Sequence, residues 1–111
     1  MKLYQFTLST GKSIEVLKKI LEVEEKPKTY IKRGAYTATR ILKSDIGILS
    51  GYDNSTLYLL EDDEEKAKSI FIELLKNRIL REKQNIENTI KRCNECIEKY
   101  EKGILELTGT N

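Results

Sequence analysis

The apolar positions of this chain change period once. In residues 2–8, KLYQFTL, Leu3, Gln5 and Thr7 point one way while Tyr4, Phe6 and Leu8 point the other, which predicts a strand. STGK follows as a turn, where Gly11 accepts a positive φ. SIEVLKKILEVEE, residues 13–25, fits two periods. Ile14, Val16, Ile20 and Val23 suit strands, whereas Ile14, Leu17 and Leu21 suit helical turns. Recurrent β-branched residues and the lack of a helix end signal favour strand. The single proline, Pro27 in EEKPKTYIKR, biases Lys26 away from helix and predicts an edge strand. There Lys26, Lys28 and Lys32 would discourage pairing with other chains. AYTATRIL is a further strand, and Ser44 is placed as the cap of a short helical turn ending near Gly47. GYDNST is a turn and LYLL a last strand.

From Glu61 the period becomes helical. The acid run Glu61–Glu65 reads as a helix start, because carboxylates favour the positive end of the macrodipole and Asp62 or Asp63 caps free N–H groups. Ala67, Ile70, Phe71, Leu74, Leu75, Arg78 and Ile79 then recur at three- and four-residue steps. No Gly or Pro interrupts Glu61–Lys102, and Ile86, Ile90, Cys93, Ile97, Tyr100 and Ile104 trace a coiled-coil seam. About 40 helical residues would reach ~60 Å at ~1.5 Å each, more than the width of a small domain. The segment therefore either folds back near the polar REKQN, residues 81–85, or packs on another subunit. ILELTGTN after Gly103 reads as a short tail or a last strand. The predicted class is α+β in a single domain, residues 1–111. An antiparallel sheet fills 1–60, and a long helix or helical hairpin, self-associating, fills 61–103.

Composition supports association. Only 39% of the 111 residues are apolar, 34% are charged and tryptophan is absent, so the core of one copy is lean. The net charge of +2 divides mildly: residues 1–60 hold ten Lys/Arg against six Asp/Glu, and residues 61–111 hold ten against twelve. That is too near neutrality to argue for nucleic acid. No apolar run approaches the ~20 residues of a membrane span, and no signal-peptide pattern is present, so a cytoplasmic protein is expected.

Candidate chemistry is sparse. Cys93 and Cys96 form a CxxC, but tetrahedral zinc wants four Cys/His ligands and the chain has no histidine. Lying inside a helical pattern, the pair reads as packing residues rather than as a redox site or a subunit-bridging metal. The lack of histidine also removes the usual general base and every Ser-His or Cys-His pair. STGKS lacks the preceding glycine that a phosphate-binding loop has at its required spacing. No enzyme is expected, with no catalytic residue, metal or cofactor. Phosphate recognition needs guanidinium forks, and purines favour aromatic or guanidinium faces. Arg78 and Arg81 share a helix face, Phe71 precedes Arg78 by two turns, and Asn77, Asn85 and Asn88 add amides. Phe71, Arg78, Arg81, Asn85 and Arg92 are the candidate ligand-binding residues. The plainer alternative leaves these arginines solvated or paired with Glu73, Glu82 or Glu87.

KPKTYI, RILKSDIG and YLLEDDEEKAKSIFIELL, in that order, look like small proteins of phages infecting Gram-positive bacteria. A short sheet followed by long C-terminal helices is similar to the phage Thoeris anti-defence sponge proteins, over roughly residues 20–102. That resemblance implies a homo-oligomer, dimer or higher, in the bacterial host cytoplasm. It would sequester a small anionic nucleotide, a cyclic ADP-ribose isomer, between subunits without cleaving it. The pocket residues named above come from side-chain chemistry, not from the family. Two other readings compete. A protein-binding inhibitor or adaptor predicts an exposed apolar or charged patch in place of a closed pocket. A nucleic-acid binder would use Lys28, Tyr30, Lys32, Arg33, Tyr36 and Arg40, and near-neutral charge weighs against it.

Overall fold

The computed structural model describes residues 1–109. Its strands are β1 (Lys2–Ser9), β2 (Glu15–Glu22), β3 (Glu24–Glu25), β4 (Thr29–Arg33), β5 (Ala38–Leu42) and β6 (Thr56–Leu59). They are followed by one helix, α1 (Glu64–Thr108). This is the α+β order read from the sequence. Two antiparallel sheets form, ordered β2-β1-β6 and β3-β4-β5. The chain divides into two compact units, Met1–Ile72 and the helical residues from Glu73 onward.

In the first unit, strand alternation along β1 serves two layers of apolar residues. Leu3 pairs with Leu21 and joins Val23, Tyr30 and Ile41 in one buried cluster, with Ile46 and Tyr58 packed against it. Phe6 pairs with Leu57 on the opposite face, the face that Leu8 and Leu59 share by parity. All four are buried, and Ala67 and Phe71, one turn apart, are the buried positions of α1 among the described residues. Between β5 and β6 the chain bends at Gly51, whose φ is +79°. A Cβ there would lie 2.9 Å from Thr56 Oγ1, so glycine is required.

Helix α1 starts where the acid run predicts. The Lys66 N–H donates to Asp63 Oδ1 at 3.0 Å, making Asp63 the N-cap, and Glu64 and Glu65 occupy the first turn. Lys18 Nζ donates to both carboxylate oxygens of Asp62 and to Glu64 Oε1, each at 3.0 Å, tying β2 to the helix start. Asp62 and then Glu64 raise the Lys18 ammonium above its ordinary 10.5. A raised lysine contributes its full stability below the unfolded value and loses it as pH climbs through the folded one. The stability gap between wild type and Lys18→Met is therefore expected to be constant near neutrality and to close above pH 10.5. Urea midpoints across the alkaline range measure it, and a gap that widens there would contradict the ion pair.

Four local expectations need correction. Pro27 sits in the turn joining β3 to β4, closed by the Lys26 N–H on the Thr29 carbonyl, not in an edge strand. Lys32 lies in β4, the middle strand of its sheet. Ser44 is inside the 3-10 turn Lys43–Asp45, whose N-cap position is Leu42. Gly103 does not end the helix. The hairpin alternative gives way to one uninterrupted helix of 45 residues, and ILELT continues it to Thr108. Of the predicted tail, residues 110–111 lie outside the described residues.

Candidate functional site

The helical unit follows the seven-residue repeat of a coiled coil, with positions lettered a to g. Lys76, Lys83, Ile90, Ile97 and Ile104 fall at a, and Ile79, Ile86, Cys93, Tyr100 and Leu107 at d. The apolar seam is uncovered: every isoleucine, Tyr100 and Leu107 in it is at least 51% exposed. Cys93 and Cys96 are exposed free thiols and not core residues as expected. Among the described residues, no group of three or more Cys, Asp or Glu is placed to hold a metal.

A second feature runs beside this seam. Positions b, c and f between residues 77 and 92 are Asn77, Arg78, Arg81, Gln84, Asn85, Asn88, Lys91 and Arg92. All are cations or amides. The acids of the same stretch, Glu82 and Glu87, stand at g and e, next to the seam. This face presents guanidinium and amide donors, which suit phosphate oxygens, with Glu82 one turn from Arg78 and Glu95 one turn from Arg92. At ~100° per residue, Arg78, Asn85 and Arg92 lie about 130° around the helix from the local seam, and Arg81 about 170°. Seam-to-seam packing therefore leaves these residues outside the contact. It does not form the pocket between subunits that the sequence suggested.

The structure places the five predicted ligand residues unequally. Arg78, Arg81, Asn85 and Arg92 line the face just described. Phe71 does not join them, because it is 1% exposed and its ring is spent in the core of the sheet-bearing unit. The seven-residue spacing to Arg78 sets the same helix face, but burial overrides it. Tyr100, 65% exposed, is the aromatic that the helical unit does offer, and it belongs to the seam.

The sheet-bearing unit supplies less. A cleft of about 300 Å³ is lined by Ile46, Gly47, Leu59, Leu60, Glu61, Asp63 and Lys66. Two carboxylates against one ammonium make it a poor host for phosphate. Of the residues proposed for nucleic acid, Tyr30 is buried and Arg33 donates to both Glu24 oxygens at 2.9 and 3.2 Å, whereas Tyr36 is fully exposed. One basic pair was not legible beforehand. Lys19 on β2 pushes the Lys32 ammonium below its ordinary value, mainly through its charge, so the two sheets bring these lysines together. Only the pairing of distant strands could have revealed it.

Comparison of the chain with family models, curated proteins and solved structures found no match. No helix among the described residues is long and apolar enough to cross a membrane.

Proposed function

We propose that this chain is a non-catalytic, self-associating binding protein that sequesters a small phosphate-bearing nucleotide in the cytoplasm of a phage-infected bacterium. A cyclic ADP-ribose isomer is the specific candidate, from the resemblance to Thoeris anti-defence sponges. The supporting observation is the gathering of Arg78, Arg81, Asn85, Lys91 and Arg92, with flanking amides, on one side of the helix. Four cations, Arg78, Arg81, Lys91 and Arg92, within fifteen residues suit a ligand with two phosphates better than the cleft lined by Glu61, Asp63 and Lys66 does. Because this face points away from the seam, closing a pocket over it takes a second contact between copies.

The test is incubation with cyclic ADP-ribose isomers and cyclic dinucleotides, removal of free ligand, and heating to recover what was held. The ligand should return intact. Arg78→Ala combined with Arg81→Ala removes two charge-assisted contacts worth ~1.5–3 kcal/mol each, so capture should fall by about a hundredfold or more. The association state should not change, since neither residue is in the seam. Undiminished capture would remove the face from the site.

One observation favours the second reading, a protein-binding inhibitor or adaptor: the apolar seam is exposed along its length. Absence of any nucleotide capture, with a host protein bound through seam residues, would decide for it.

A further inference from the structure

The geometry points to an antiparallel pairing of the helical seam with a second copy of this chain, centred between Ile90 and Cys93. The inference does not depend on any ligand. It stands on the uncovered seam and on how charge is distributed along it.

The two ends of the seam differ. Residues 76–92 carry six basic and two acidic side chains, whereas residues 93–108 carry two basic and four acidic ones. Antiparallel pairing lays the basic stretch of one copy along the acidic stretch of the other. Parallel pairing would do the reverse. It would set Lys76 against Lys76 and Lys83 against Lys83 inside the seam, and Glu82 beside Glu87 at its edge, all like charges in contact.

The register follows from the same residues. With Ile90 opposite Cys93 of the second copy, Ile86 faces Ile97 and Ile79 faces Ile104. Lys83 then faces Tyr100, where its stem lies on the ring and its ammonium reaches toward Glu101. Lys76 falls beside Leu107 and the last helical turn, the negative end of the second copy's dipole. The edges pair Leu80 with Glu101, Glu87 with Asn94 and Thr89 with Cys96, and none is a like-charge pair. Sliding by one heptad in one direction sets Glu87 beside Glu101. Sliding in the other sets Glu87 beside Glu87 and Glu73 beside Glu101. Of these three registers the centred one alone avoids carboxylate pairs, and it covers the longest stretch of apolar seam.

Disulfide trapping tests both direction and register. In a Cys93→Ser, Cys96→Ser background of the full chain, Ile79→Cys and Ile104→Cys are made separately. Each is oxidised alone and in equal mixture. Cross-linked dimer is expected in the mixture only, at least tenfold above a Gln84→Cys control on the outer face. Efficient cross-linking of each variant by itself would show parallel helices and overturn the inference. So would no cross-linking in any sample. Circular dichroism checks that each variant is folded, and Ile86→Cys mixed with Ile97→Cys provides an independent second pair with the same expected outcomes.

Discussion

Phe71→Ala is expected to unfold the sheet-bearing unit or leave it marginal. Phe71 is 1% exposed, and among the described residues all eleven buried apolar side chains lie within Met1–Ile72. Emptying a buried phenylalanine site costs ~3–5 kcal/mol, through lost transfer energy and the cavity left behind. A small domain has only ~5–15 kcal/mol in total. Urea unfolding followed by circular dichroism should show the midpoint falling by a large fraction, while Phe71→Leu keeps most of the stability. A loss below ~1 kcal/mol would mean that the ring is not a core element. It would then return as a candidate ligand contact. The measurement thus decides between packing and binding at the one predicted site residue that the fold withdraws from solvent.

The second large effect concerns the seam. If copies associate through the seam as proposed, Ile90→Glu combined with Ile97→Glu is expected to yield a monomer while leaving the sheets intact. Both side chains are more than half exposed in one copy, so neither supports the fold of that copy. In an assembly, each isoleucine covered contributes ~1.5–3 kcal/mol, and every copy brings two. A buried carboxylate without a partner costs ~3–5 kcal/mol more. These terms move the dissociation constant by many powers of ten. Sedimentation equilibrium measures it directly. A double variant that sediments like the wild type would show that copies meet elsewhere or not at all.

Much of the sheet was legible because alternation is a local signal. KLYQFTL and LYLL became β1 and β6, and the β-branched residues of SIEVLKKILEVEE correctly outweighed its helical spacing. The β3–β4–β5 sheet was harder, since strand neighbours depend on pairings between distant residues. Pro27 lacks a donor, and that fits a turn as well as it fits an edge, so the residue itself does not choose. Gly103 costs a helix interior only ~1 kcal/mol, which a long helix absorbs. At the candidate site, Arg78, Arg81, Asn85 and Arg92 were legible from side-chain chemistry, and their separation from the seam follows from the repeat itself. Phe71 failed because sharing a face with Arg78 says nothing about what covers that face. Only the burial of Phe71 in the sheet-bearing unit carries that information.

Gly103 has a further consequence for how the last turns behave. With no side chain to shield its amide and with greater backbone entropy to gain on opening, it is a natural point of fraying. Backbone protons beyond it should exchange with deuterated solvent sooner than those around Ile90. The order in which amides gain protection as protein concentration rises would then report how far along the helix neighbouring molecules hold it shut.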